Sequence, residues 1–98
     1  MPKYLIERTV PGAGQMDDEA LAAIATTSNG VLRDLGPDVQ WLHSYVSDDK
    51  ITCIYVAANE DIVREHGRLG GFPVDIVHEV SAVIDPVTAE LRDRAAVS

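Results

Sequence analysis

The sequence predicts a single α+β domain whose elements run strand–helix–strand–strand–helix–strand. Three observations lead there. Four short runs rich in β-branched and aromatic residues are separated by turn formers, two longer stretches carry apolar residues at helical spacing, and 98 residues leave room for one core and no second domain.

The first run, Lys3 to Val10, alternates as a strand and is broken by Pro11-Gly12-Ala13-Gly14. Asp17 and Asp18 then open a helix, because acids in the first turn suit the helix dipole and either can cap it. Leu21, Ile24, Ser28, Val31, Leu32 and Leu35 recur at helical spacing until Gly36-Pro37 stops the helix. Asn29-Gly30 interrupts that pattern and weakens it by roughly 1 kcal/mol relative to alanine. Two further strands, Val39 to Ser47 and Lys50 to Ala57, join around Asp48-Asp49 as a hairpin. Asn59 caps a second helix with Ile62, His66 and Leu69 on one stripe, and Gly70-Gly71 with Pro73 ends it. A last strand runs from Val74 to Ile84. Residues 1–86 thus form the domain and 87–98 a C-terminal tail, either a short helix or a mobile end.

This order is the ferredoxin-like βαββαβ plan, a four-stranded antiparallel sheet with both helices on one face. One sheet face stays uncovered. On it the alternation suggests Tyr4, Ile6 and Arg8 of the first strand, Trp41, His43 and Tyr45 of the second, and Ile76, His78 and Val80 of the last. Mixed apolar and polar faces of this kind pair with a second copy, so a homodimer is expected.

Sixteen acidic against eight basic residues leave a net charge of −8, which repels phosphate backbones and argues against nucleic acid as a partner. No apolar run approaches the roughly 18 residues of a membrane span, and the first residues alternate rather than forming a signal sequence. One cysteine excludes an intrachain disulfide and fits a reducing, cytoplasmic setting.

The hairpin "WLHSYVSDDKITCIYVA" concentrates groups able to bind or react. Pairing Val46 with Ile51 sets Ser44 opposite Cys53 and His43 opposite Ile54. A turn one residue longer gathers His43, Tyr45, Cys53 and Tyr55 on one surface instead. His43 and His66 are able to ligate through an imidazole nitrogen. The plainer alternatives are an exposed strand histidine and a satisfied histidine on an apolar helix stripe. His78 reads as solvent-facing or as a subunit contact. Cys53 in an apolar strand is ordinarily a small buried hydrophobe. Glu7 is either a charge at the sheet rim or a carboxylate needing a cation. No CxxC, HExxH, P-loop, GxSxG or EF-hand pattern occurs, and "PGAGQM" does not match the dinucleotide fingerprint.

The runs "YLIERTVPGAG", "VQWLHSYVSDDKITCIYVAANED", "REHGRLGGFPVDIV" and "VIDPVTAE" resemble a small bacterial family, long labelled a domain of unknown function, whose described member binds nickel. The resemblance covers Lys3 to about Glu90. It implies a ferredoxin-like homodimer that binds nickel at its surface, acts as a nickel sink and self-associates on metal loading. Against that background the candidate ligands are Glu7, His43 and His66, with Cys53 a softer fourth. Nickel(II), and with it other divalent transition metals, accepts imidazole and carboxylate donors. Binding by imidazole weakens with acidity. The expected function is therefore non-catalytic metal binding. The alternatives are a dimeric α/β-barrel-type enzyme or small-molecule binder, with Trp41, Tyr45, Tyr55 and His43 lining a cleft on the sheet face, and a plain assembly module.

Overall fold

The computed structural model describes residues 1–92. Its main elements are β1 (Lys3–Thr9), α1 (Asp18–Leu35), β2 (Val39–Val46), β3 (Lys50–Ala57), α2 (Glu60–Gly70) and β4 (Ile76–Val80). The four strands form one sheet in the order β2-β3-β1-β4, and each neighbouring pair is antiparallel.

Local chemistry sets the helix ends. An Asp17 carboxylate oxygen accepts from Ala20 N–H at 2.9 Å and Asn59 Oδ1 accepts from Ile62 N–H at 3.0 Å, each satisfying a donor the first turn leaves unpaired. At the far end of α2, Gly71 takes φ +72°, and Phe72 N–H reaches back to the Gly67 carbonyl at 2.8 Å. That left-handed closure needs glycine.

Both helices cover the same side of the sheet. Toward them point Tyr4, Ile6 and Arg8 of β1 and Ile51, Cys53, Tyr55 and Ala57 of β3, all buried. Ile6, Val63 and His66 have no exposed surface and mark the centre of the core. On the uncovered face stand Lys3, Leu5 and Glu7 of β1, with Thr52, Ile54 and Val56 of β3 beside them.

Three expectations change in the structure. Tyr4, Ile6 and Arg8 do not lie on the open face: they alternate with Leu5 and Glu7, and the helices cover their side. Trp41 leaves the company of His43 and Tyr45, because the ladder shifts between Trp41 and His43 and Leu42 is extra. Such a bulge moves what precedes it to the other face. The last strand spans five residues rather than running to Ile84, since its partner β1 begins at Lys3 and pairs no further than Val80.

The hairpin takes the shorter register, with Val46 opposite Ile51, Ser44 opposite Cys53 and His43 opposite Ile54. The loop after β1 clamps its turn: Val10 N–H donates to the Asp49 carbonyl, Gly14 N–H to the Asp48 carbonyl and Gly12 N–H to Asp49 Oδ1, at 2.9, 3.0 and 2.9 Å. Asp48 and Asp49 are thus turn residues. After β4 the chain makes a 3-10 turn over Pro86–Ala89, capped reciprocally by Asp85 and Thr88. The remainder of the tail expected at 87–98, from residue 93 on, lies outside the described residues. Among those described, no helix is long and apolar enough to cross a membrane.

Candidate functional site

Strand alternation divides the chemically active side chains between two surfaces. Behind the sheet, under the helices, a chain of polar contacts crosses the core. Arg8 Nη2–H donates to the Tyr55 hydroxyl at 3.3 Å. The hydroxyl lies 3.4 Å from His66 Nδ1, and His66 Nε2 lies 3.0 Å from Ser28 Oγ. Tyr55 accepts from Arg8, and the His66 tautomer sets which group donates in its contacts with Tyr55 and Ser28. Burial, and secondarily the Arg8 charge, lower the His66 pKa to about 4, so the ring is neutral near pH 7. Burial also pushes the Tyr55 hydroxyl up to about 12. Arg8 completes its contacts with Nε–H to Cys53 Sγ at 3.5 Å and Nη1–H to the Pro73 carbonyl at 2.6 Å, its guanidinium 5.6 Å from the Phe72 ring centre.

A cleft of about 400 Å³ opens beside this cluster, between α1 and the sheet. Leu21 and Ile24 of α1, Trp41 and Ile51 of the hairpin, and Phe72 supply apolar walls, with Arg8 among the lining residues. Of the aromatic set expected to line a cleft, Trp41 and Tyr55 do so. His43 and Tyr45 pack edge to face on the other side of the sheet, ring centres 5.0 Å apart.

On that open face Glu7 is the hub. One carboxylate oxygen lies 3.2 Å from Lys50 Nζ and the other 3.4 Å from His78 Nε2. The Lys50 hydrogen bond is the main influence holding the Glu7 carboxyl below its usual range, and His78 adds to it. Register places His43, Ile54, Leu5 and His78 in one transverse row across the four strands. His43 and His78 therefore stand three strand spacings apart, about 14 Å.

The four ligand candidates thus divide two and two. Glu7 and His43 are on the open face, His66 and Cys53 behind the sheet. Both His66 nitrogens are engaged within the core. Among the described residues no three His, Cys, Asp or Glu side chains come together closely enough to hold a metal ion. Sequence reasoning missed the partnership of Glu7 with His78, whose signal was parity across paired strands. It also missed Ser28, the one hydroxyl on the apolar stripe of α1, and Arg8, which continues the buried parity of Tyr4 and Ile6.

The fold and its two surfaces define a small ferredoxin-like protein with a carboxylate–imidazole pair on an uncovered sheet. Residues 4–80 match the model of the family described as "Nickel responsive protein SCO4226-like", and the chain belongs to that family. The crystal structure of SCO4226 from Streptomyces coelicolor A3(2) superposes with a TM-score of 0.71 at 15% identity, over 84% of this chain and 99% of that one. This likeness establishes the shared fold. No curated protein matches the chain.

Proposed function

We propose that this chain is a non-catalytic nickel(II)-binding protein, working as a homodimer and serving as a cytoplasmic sink for the ion. The observation that carries the reading is the Glu7–His78 pair, a carboxylate and an imidazole 3.4 Å apart on an open, partly solvated face. Family membership supports nickel as the cargo. Carboxylate and imidazole suit nickel, and such a site ranks it above cobalt and below copper.

Two donors from one chain leave most of the coordination sphere to water or to a second copy. Leu5, Ile54 and Val56 sit half-buried on the same face, with Ile76 and Tyr45 exposed, a combination that favours association through it. A two-fold axis along the strands would carry His43 of one copy over His78 of the other, with the sheets about 10 Å apart. The proposed site keeps Glu7 and His43 from the four sequence candidates and takes His78 in place of His66 and Cys53.

Calorimetric titration of metal-free protein with Ni²⁺ tests this. Saturable binding is expected. Glu7→Gln and His78→Ala should each weaken it by more than the roughly tenfold that losing an outer-shell contact costs. Lys50→Met removes the competing cation from Glu7 and should tighten binding about two- to fivefold. His66→Phe and Cys53→Ala should leave the affinity unchanged. Binding that ignores Glu7 and His78, or that disappears with His66 or Cys53, would overturn the site.

A further inference from the structure

The cleft on the helix side of the sheet is independent of the open face. We propose that it binds a small monocarboxylate with an apolar body, the acid group seated on Arg8.

The first argument is charge. Arg8 is 3% exposed and carries a guanidinium cation. Its three hydrogen-bond partners are a thiol, a phenol and a backbone carbonyl. The ion pairs of the described residues lie elsewhere: Lys50 and His78 with Glu7, Arg64 with Glu60, Arg68 with Glu65. Asp75 feels the Arg8 charge only as the weakest influence on it, and its carboxylate is committed to Thr9 N–H. His66 and Tyr55, the remaining titratable neighbours on the polar chain, are both uncharged near neutrality. A buried cation without a counter-ion is an expensive arrangement, costing several kcal/mol before hydrogen bonds reduce it. An anion entering the cleft would complete this group with charge-assisted hydrogen bonds.

The second argument is geometry. A guanidinium has five N–H donors, and three are used, so one hydrogen on each terminal nitrogen remains. Those two hydrogens are left to donate to an anion in the cleft that Arg8 lines. The rest of the cleft has nothing comparable to offer a second charge: Leu21, Ile24, Trp41, Ile51 and Phe72 are apolar, and no lysine or second arginine lines it. One cation balances one negative charge, which favours a monocarboxylate over a phosphate dianion. A volume of about 400 Å³ falls at the small end of ligand sites and holds an acid of roughly a dozen non-hydrogen atoms.

Trp41 is the chain's only tryptophan and lines the cleft, so its fluorescence reports occupancy. Metal-free protein is titrated with octanoate and 4-phenylbutyrate, and with octanol and 4-phenylbutanol as uncharged analogues, with calorimetry alongside. The acids should saturate, and the alcohols should bind at least about tenfold more weakly, the loss of one charge-assisted contact. Arg8→Met should erase that preference, Ile24→Phe should weaken acids and alcohols alike by filling the cleft, and Glu7→Gln should change neither. No saturable binding of acids at millimolar concentration, or equal affinity for acid and alcohol, overturns the proposal. Should Arg8→Met fail to fold, the acid-to-alcohol ratio of the unaltered protein decides. The outcome is separate from that of the nickel titration, because the two sites share no residue.

Discussion

His66 has no exposed surface and joins both helices to the sheet. It stacks on Phe72 with ring centres 5.6 Å apart, tilts against Tyr55 at 5.2 Å and bonds to Ser28 of the facing helix. The burial that makes it a good core residue also makes it a pH-dependent one. Its pKa falls from 6.5 to about 4 on folding, so between those values the unfolded chain takes up a proton that the folded chain refuses. Stability is then complete above about pH 6.5 and drains away as the pH falls toward 4, by on the order of 3 kcal/mol. The carboxylates held low in the fold, Glu7, Glu65 and Asp75, act mainly below that window, because their unfolded counterparts protonate only under about pH 4.5. Urea unfolding at pH 7, 6 and 5 should show the decline, and His66→Phe should flatten it over the same range. A slope that survives the substitution would assign the effect to another group.

Two helical glycines separate the contributions of propensity and packing. A methyl at Gly30 in α1 would meet only Arg33 Nη2, 3.9 Å away, so Gly30→Ala should gain about 0.5–1 kcal/mol of helix propensity. A methyl at Gly67 in α2 would lie 2.6 Å from Val74 Cγ2 and 3.3 Å from the Phe72 carbonyl oxygen. Val74 is β-branched and stiff, and the second obstacle is backbone, so neither yields cheaply. Gly67→Ala should therefore lose about 1–3 kcal/mol despite the same propensity gain. Thermal melts of both variants check the opposite signs. At this scale much was legible beforehand: the capping roles of Asp17 and Asn59, the glycine stop at Gly71 and the element order follow from local chemistry. Leu69 was not, since the buried stripe of α2 runs through Val63, His66 and Gly67 and leaves Leu69 exposed. The glycine makes room for the close approach of Val74, a tertiary fact that a search for apolar spacing passes over. The extra residue at Leu42 was equally hidden, because a bulge leaves the composition of a strand unchanged.

For the molecule as a whole, the open sheet face is the surface on which the proposed dimer would form. Leu5, Ile54 and Val56 occupy its centre, and the helices bury only the opposite side. If two copies join there, a charge at the middle should part them. Leu5→Glu is expected to convert a dimer to a monomer in sedimentation, with the helix content of the folded chain retained. A variant that sediments like the unaltered protein would place the contact elsewhere. The candidate site was half legible from sequence for the same reason. Glu7 and His43 stand out by residue type, but which histidine meets Glu7 depends on strand order, and β4 returns beside β1 only in the finished sheet.

The clamp between the loop after β1 and the Asp48-Asp49 turn has a consequence for how such a protein can change over generations. By holding the hairpin in one register it makes sidedness a heritable property. Substitutions at Leu5, Glu7, His43 or His78 are felt on one surface, and those at Ile6, Arg8, Cys53 or Tyr55 on the other. Selection can therefore retune either surface without disturbing its counterpart. A one-residue insertion at the turn would instead carry the side chains of β2, His43 among them, from one surface to the other.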